Sequence, residues 1–155
     1  MRSIVRFESE QHYFEGFGDR PVIRVVVDGR DLAELVRDVE APYAQADGHP
    51  DLAGRYVGLD LRELRSSVQE HFTGAEGSDL ACGPVGKTVL LGCTCGVAGC
   101  WPLMARIEVR DDDILWSDFE QPHRRDTWSY ADFGPITFTR AQYEQTLGAL
   151  SSPPG

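Results

Sequence analysis

Short runs of β-branched and aromatic residues recur along the chain, and most of them end at glycine, proline or aspartate. Runs of this length and composition predict β-strands. The predicted strands cover about residues 3–7, 22–27, 87–95, 100–110, 114–120 and 134–138. Asp28-Gly29 and Asp111-Asp112-Asp113 predict tight turns, because aspartate side chains bond nearby backbone N–H groups. Residues 8–20 show no sustained period and give no assignment.

Three segments instead repeat apolar residues at helical spacing. Each segment begins at a residue that can cap a helix, and Glu or Gln stands three positions after that residue, which is the capping-box arrangement. The predicted helices therefore start at Asp31, Asp60 and Thr139. The first ends by Ala41, because Pro42 disfavours helical geometry in the residue before it. The second runs to residue 74 and the third to about residue 150, and residues 42–58 and 73–86 are predicted loops.

The order of strand, helix, helix, three-strand meander, strand and helix is not the regular alternation of a parallel βαβ fold. It predicts an α+β fold with a mainly antiparallel sheet and about three helices packed on it. A chain of 155 residues can form one core. We expect a single domain over residues 1–150 and a flexible tail over residues 151–155.

The chain is acidic, with a net charge of −10 and a pI near 4.7. Such a chain repels a phosphate backbone, so nucleic acid is not an expected partner. The charge is explained either by solubility or by an acidic face that docks a basic protein partner, as in an inhibitor or immunity protein. The sequence contains no run of 18 apolar residues and no secretion-type leader pattern, so we expect a cytoplasmic protein that does not enter a membrane.

Three of the four cysteines lie in one stretch, as Cys93, Cys95 and Cys100. On a strand, residues two apart share a face, and the GVAG turn would place Cys100 opposite or nearly opposite Cys95. Three converging thiols predict a structural zinc site, which needs a fourth ligand from His123 or Cys82. Two alternatives stay open: free cysteines that pack as small apolar side chains, or a Cys95–Cys100 disulfide or redox-active pair.

A second candidate site is the Gln-Pro-His-Arg-Arg run at residues 121–125, the one concentration of positive charge in the chain. Guanidinium groups suit carboxylate or phosphate, and aromatic walls suit the apolar body of a ligand. His123 is the candidate acid or base. The predicted ligand-binding residues are Trp101, Trp116, Gln121, His123, Arg124 and Trp128. The alternative is that Trp116, Trp128 and Phe133 are core and that Arg124 and Arg125 pair with Asp118, Glu120 or Asp126.

Three segments carry a resemblance: LLGCTCGVAGCWPLMARIEV, ILWSDFEQPHR and FGPITFTRAQYEQTL. They resemble a group of uncharacterised bacterial proteins with GCxCGxxGCWPLxARI, WxxFxQPHR and FGPxxFxRxQYE segments. The match covers about the last 70 residues well, and DGRDLAELVRDVEAPYA more loosely. The resemblance implies a shared fold and a shared role for Cys93, Cys95, Cys100, Gln121, His123 and Arg124. Cys82 lies outside the matching segments, which favours His123 as the fourth ligand.

Three functions follow as hypotheses. The leading one is a small binding or protein-interaction module of adaptor or immunity type, stabilised by zinc at the cysteine cluster. The second is an enzyme that uses His123 and Arg124 in an aromatic-lined pocket, for which no Ser-His-Asp order or H-E-x-x-H motif stands in the sequence. The third is a thiol redox protein, which needs an exposed cysteine of low pKa.

Overall fold

The structure is a computed structural model that describes residues 2–64, 67–74 and 86–151. In these residues the chain forms eight strands and three α-helices. The strands are β1 (Val5–Phe14), β2 (Gly18–Val27), β3 (Arg30–Asp31), β4 (Tyr56–Asp60), β5 (Thr88–Cys93), β6 (Leu103–Val109), β7 (Asp113–Glu120) and β8 (Ile136–Thr139). The helices are α1 (Leu32–Ala46), α2 (Val68–Phe72) and α3 (Arg140–Ser151).

All eight strands belong to one sheet, whose neighbours are antiparallel in the order β1-β2-β4-β5-β6-β7-β8, with the short β3 beside β2. The prediction of an α+β domain with a mainly antiparallel sheet and three helices is confirmed. The β2–β3 connection is the predicted Asp28-Gly29 turn, in which both residues have positive φ (51° and 83°). Two such residues in sequence make the tight hairpin turn that follows the twist of the strands.

The two ends of the strand path approach each other. Ser3, just before β1, forms a parallel bridge with Phe138 of β8, and its N–H donates to the Thr137 carbonyl at 2.7 Å. Helix α3 lies along β1, where the Val5 N–H donates to the side chain of Gln142 and the Phe7 N–H to that of Thr146. An edge strand exposes unpaired N–H and C=O groups. Side chains of α3 form hydrogen bonds with such groups along β1.

One aromatic cluster fills the space between the sheet and α3. Trp116, Phe138 and Tyr143 are fully buried, and the ring of Phe7 lies against Trp116 and Tyr143. The Trp116 indole N–H donates to the Tyr143 hydroxyl at 3.1 Å, and this hydroxyl donates to the carbonyl of Phe72. A buried indole and phenol thus have their hydrogen bonds satisfied, as burial requires.

The predicted end of the first helix is wrong. Helix α1 continues through Pro42 to Ala46. Proline inside a helix removes one backbone hydrogen bond and costs about 3 kcal/mol. The last turn of α1 buries Ala44 and packs Tyr43 on the core, so tertiary packing outweighs the local preference.

The predicted second helix is also wrong over most of its length. Residues 56–60, divided in the prediction between a loop and the helix start, form β4 between β2 and β5. Asp60 does cap a turn, since its side chain accepts from the Arg62 N–H at 2.9 Å, but this turn is a short 3-10 segment, Leu61–Glu63. The α-helix itself is confined to Val68–Phe72. The buried Asp60 carboxylate also pairs with Arg20 at 2.9 Å, a long-range contact that no local pattern contains.

Both N-terminal strands are longer than predicted, because residues 8–14 and 18–21 complete a hairpin of two ten-residue strands, β1 and β2. Predicted strands 87–95, 100–110, 114–120 and 134–138 correspond to β5, β6, β7 and β8 with shifted ends. The third helix begins as predicted, with the Gln142 N–H donating to the Thr139 hydroxyl at 3.3 Å. Within the described residues, no helix has the length and apolar character needed to cross a membrane.

Candidate metal centre and adjoining cleft

The sulfur atoms of Cys93, Cys95 and Cys100 lie within 4.8 Å of one another. Cys93 is the last residue of β5, and the chain then turns, with the Gly96 N–H donating to the Cys93 carbonyl at 3.1 Å. Inside this turn the Cys95 N–H points at the Cys93 sulfur, at 3.4 Å. Cys100 ends a 3-10 turn, Ala98–Cys100, that brings it back to the other two.

The predicted convergence of the three thiols is confirmed, but the predicted route to it is wrong. Cys95 lies in a turn and not on a strand, because β5 ends at Cys93. Gly96 has a φ of +96°, a conformation that glycine adopts at little cost, and it reverses the chain immediately after Cys95. Two successive turns therefore gather the sulfurs, where a regular hairpin was expected.

The thiol loop, residues 93–100, is fixed to the rest of the protein on two sides. The Ala98 N–H donates to the Glu63 carboxylate at 3.4 Å. A Cβ built on Gly96 would lie 2.9 Å from the Phe17 ring and 3.3 Å from the Phe14 ring, so the backbone of the loop rests on the tip of the β1–β2 hairpin. Both contacts involve backbone atoms of the loop, so they are separate from any interaction of its thiols.

The three thiols differ in environment. Cys93 is buried, and this burial raises the pKa of its thiol to about 11, whereas Cys95 and Cys100 are exposed. The pKa of Cys95 is lowered, because hydrogen bonds with the backbone at Val97 and with the neighbouring thiols outweigh the opposing effect of partial burial. All three are free thiols. A soft cation would displace their protons and hold the thiolates together, with Zn–S bonds of about 2.3 Å.

Of the two predicted fourth ligands, Cys82 lies outside the described residues. His123 is not a member of the group of ligand atoms within 4.8 Å. Its Nε2 lies 3.1 Å from the carbonyl oxygen of Gly99, the residue before Cys100. The His123 ring thus contacts the backbone of the thiol loop, and the role of His123 as a metal ligand stays a prediction.

A stack of aromatic and cationic groups lies beside the loop. The His123 ring is parallel to the Trp101 indole, with centroids 5.9 Å apart, and Trp128 meets Trp101 edge-on at 5.7 Å. The Arg124 guanidinium lies over both indoles, at 5.1 Å from Trp101 and 5.9 Å from Trp128. Asp47 accepts from the Trp128 indole N–H at 2.8 Å and pairs with Arg124 at 3.5 Å. Cation–π contacts and one ion pair therefore fix the guanidinium in place.

The predicted ligand-binding set divides in two. Trp101, Gln121, His123, Arg124 and Trp128 are brought together, whereas Trp116 belongs to the aromatic cluster under α3. Trp116 and Trp128 are buried and Phe133 packs partly buried against the core, which agrees with the alternative that these three are core. Trp101 is buried as well. Arg125 pairs with Glu120, as that alternative also predicted, and Glu120 holds Lys87 at 2.6 Å on its other oxygen. The alternative is wrong for Arg124, which pairs with Asp47.

The sequence interpretation missed a buried acid, Glu40, whose hydrogen-bond network extends to the turn that carries His123. Glu40 of α1 is fully buried and accepts hydrogen bonds from the hydroxyls of Tyr56 and Tyr130 and from the Gly54 N–H. Gln121 donates to the Tyr56 hydroxyl at 3.2 Å and accepts from the His123 N–H at 3.1 Å, so the network reaches the 3-10 turn Pro122–Arg124. Burial raises the pKa of Glu40. The sequence did contain a signal for this position, because Leu32, Val36 and Glu40 are spaced four residues apart and so lie on the same buried face of α1.

An open cleft of about 640 Å³ lies between the C-terminal end of α1 and the turn that carries His123. It is lined by Asp47, His49, Pro122, His123, Arg124, Arg125, Asp126 and Thr127. His123 is exposed to this cleft, but no tryptophan, tyrosine or phenylalanine is among the described residues that line it, so it is not the aromatic-lined pocket of the enzyme hypothesis. His49, which belongs to the predicted loop over residues 42–58, lines the same cleft.

Comparison with known proteins adds no family to these observations. No protein-family model matches the chain, and neither a search of curated proteins nor a search of solved structures found a match.

Proposed function

We propose that this protein is a small binding module whose surface loop is stabilised by a zinc ion held by Cys93, Cys95 and Cys100. The observation that supports the proposal is the approach of three free thiols to within 4.8 Å. A tetrahedral zinc with Zn–S bonds of about 2.3 Å needs sulfur atoms about 3.8 Å apart, so the required movement is about 1 Å at most. Turns of the thiol loop can supply it.

The donor chemistry also fits a soft cation. Three thiolates so close together repel one another, and a bound Zn²⁺ removes that repulsion. The Cys95 N–H already points at the Cys93 sulfur, which favours the thiolate form of Cys93 once a cation offsets the cost of its burial. His123 or Cys82 completes the proposed site as its fourth ligand.

The test is the metal content of protein purified without a histidine tag, measured by elemental analysis and by zinc titration. We expect one zinc per chain in the unmodified protein and loss of tight binding in Cys93→Ser, Cys95→Ser and Cys100→Ser. Thr94→Ser changes a hydroxyl residue inside the same loop and should keep the metal. Separate His123→Ala and Cys82→Ser variants identify the fourth ligand, because only the variant that lacks a ligand should weaken zinc binding.

A chain that neither retains zinc nor binds it on titration would contradict the metal proposal. The proposal also fails if Thr94→Ser loses zinc as readily as the cysteine variants, since the effect would then belong to the fold of the loop and not to its sulfur ligands.

The proposed partner is a basic protein, as for an adaptor or an immunity protein. The net charge of −10 supports it, since opposite charge raises association rates and selects against acidic competitors. Expected binding is therefore strongly salt-dependent, and a partner whose affinity does not change with ionic strength would contradict this part of the proposal.

A thiol redox function is the second candidate, and the exposed Cys95 with a lowered pKa favours it. It requires that the native protein, treated with an alkylating agent, reacts first at Cys95, and that oxidation yields a disulfide with Cys93 or Cys100. A protein whose thiols are protected by zinc and react only after chelation would instead support the binding module.

A further inference from the structure

The outer side of β1 is only partly covered by α3. The backbone N–H groups of Val5 and Phe7 point away from β2 and donate to two side chains of this helix, at 3.1 and 3.0 Å. In an antiparallel strand, the N–H and C=O groups of alternate residues point to the same side. Those of Ser9, Gln11 and Tyr13 therefore point outward as well, past the two residues to which α3 is bonded.

Residues 9–13 form an unpaired strand edge, named here the β1 edge. In the described part of the chain, no group accepts a hydrogen bond from the N–H of Ser9, Gln11 or Tyr13, and all three residues are exposed. Pro21 of β2 lies opposite Gln11, and a proline has no N–H to donate, which agrees with a pair that forms no bonds across β1 and β2. An edge of this kind is a template for pairing with another strand.

The sequence of the β1 edge, Ser-Glu-Gln-His-Tyr, is complementary to itself. When two copies lie antiparallel with Gln11 opposite Gln11, Ser9 lies opposite Tyr13 and Glu10 lies opposite His12. The outward-pointing residues then exchange two hydrogen bonds in each of three pairs, about six in all. Glu10 and His12 occupy the intervening pairs, in which the Cα atoms are only about 4.5 Å apart. Each Glu10 carboxylate thus faces an imidazole of the other chain.

The same side chains select this register over its neighbours. A shift of two residues keeps the hydrogen-bond pattern but places Glu10 opposite Glu10, or His12 opposite His12. Opposite charges across a strand pair stabilise it, and like charges destabilise it. Arg6 and Arg24 pair with Glu8, and none of the described cations pairs with Glu10, so its carboxylate is available to a second chain. Glu10 and His12 also line the same open pocket, of about 260 Å³.

We propose that the β1 edge pairs with the β1 edge of a second copy of the chain, joining two sheets across a twofold axis at Gln11. A twofold contact uses the edge of both copies, so assembly stops at two chains. The contact is smaller than a standard interface, and the dimer is therefore weak and forms at high concentration. This inference goes beyond the proposed function, because the dimer requires neither zinc nor a basic partner.

The test is sedimentation equilibrium of the full chain, with a reductant that keeps the exposed thiols from cross-linking two chains. Between about 10 µM and about 1 mM chain, we expect the average mass to rise from 17.2 kDa toward twice that value. Amide hydrogen exchange, followed by NMR over the same range, locates the contact. The amides of Ser9, Gln11 and Tyr13 should gain protection with concentration, whereas those of Glu10 and His12, bonded to β2, should be protected throughout.

Two kinds of variant separate the edge from the fold. Gln11→Pro removes an outward N–H and leaves the bonds to β2 intact, so the chain should fold and dimerise at least about tenfold more weakly. Glu10→Lys places a cation opposite His12 and should weaken the dimer about fivefold or more. Adding His12→Glu to that variant restores opposite charges and should recover most of the loss. The control Asp111→Lys makes the same charge change in the exposed β6–β7 turn and should not weaken dimerisation.

Several results would overturn the proposal. One is a mass of a single chain at every concentration, and another is edge amides whose exchange does not depend on concentration. A folded Gln11→Pro variant that dimerises like the unmodified chain would place the contact elsewhere. If Gln11→Pro does not fold, the charge variants decide, and a double variant no stronger than Glu10→Lys refutes the pairing. Zinc is measured on every sample: zinc without a dimer contradicts only this inference, and a dimer without zinc contradicts only the metal centre.

Discussion

Replacing Tyr130 with phenylalanine tests whether the buried Glu40 network stabilises the region beneath the thiol loop. The Tyr130 hydroxyl donates to a carboxylate that is fully buried. Burial raises the pKa of Tyr130 and of Tyr56, so both hydroxyls remain protonated donors at neutral pH. The substitution removes one donor and little volume, and it leaves the carboxylate with two of its three hydrogen bonds.

The expected loss follows from the charge of the acceptor. A hydrogen bond to a charged group contributes about 1.5–3 kcal/mol, compared with about 1 kcal/mol between neutral groups. We therefore expect Tyr130→Phe to lower the free energy of unfolding by about 2 kcal/mol. With a urea slope of about 2 kcal/mol per molar, the unfolding midpoint falls by about 1 M. Tyr56→Phe should cost more, because the Tyr56 hydroxyl also accepts from Gln121 at 3.2 Å.

The assay is urea denaturation near neutral pH, with Tyr13→Phe as the matched control because that hydroxyl is on a side chain 67% exposed. The control should change stability by less than about 0.5 kcal/mol. Combining Tyr130→Phe with Glu40→Gln should give a coupling energy of about 1 kcal/mol, since the amide is a neutral acceptor. If Tyr130→Phe behaves like the control, or if the two changes are additive, the network does not have the stabilising role assigned to it.

Three further predictions concern single contacts. Gly96→Ala should lower the free energy of unfolding by about 1–2 kcal/mol, because φ is +96° and the new Cβ would lie 2.9 Å from an aromatic ring carbon. Its control is Gly148→Ala, in open space on α3, which should not destabilise the protein. Equal effects of the two substitutions would contradict this account. Because the pKa of Glu40 is raised in the folded protein, this protein keeps a proton that the unfolded chain has already released. The stability that this proton binding contributes is full below the ordinary pKa of glutamate and is lost as pH rises through the folded pKa. Urea midpoints measured from about pH 4 to about pH 8 should therefore fall relative to those of Glu40→Gln, and a constant difference between the two proteins would argue against it. Gln142→Leu should cost about 1–3 kcal/mol and speed hydrogen exchange at the Val5 amide, because Gln142 bonds both backbone groups of Val5; unchanged exchange would show that α3 does not protect this edge.

Local patterns predicted correctly those features that depend on neighbours in sequence. The Asp28-Gly29 turn needs only residues that tolerate positive φ. The start of α3 needs only a hydroxyl at Thr139 that can accept from a backbone N–H three residues on. The predicted thiol cluster depended on spacing as well, since any reversal of the chain between Cys95 and Cys100 brings these residues close.

Long-range contacts explain where the patterns misled. The capping motif at Asp60 predicted a helix, but the preceding residues pair with β2 and β5, and Asp60 caps only a short 3-10 turn while also pairing with Arg20 forty positions earlier. Pro42 predicted a helix end, but burial of Ala44 extends α1 past it. Local preferences of about 1–3 kcal/mol are outweighed when a segment gains sheet partners or core contacts.

The sequence by itself determined the fold class, the three-thiol spacing and the acidic character, because periodicity, separation along the chain and charge can be counted without coordinates. Only the tertiary structure decided that Trp116 lies apart from Trp101 and Trp128, and that Glu40 is a buried acceptor. It also decided that Phe17 rests against the thiol loop. Each of these arrangements depends on residues that the pairing of strands and the packing of helices bring together from distant parts of the chain, and no local pattern contains that information.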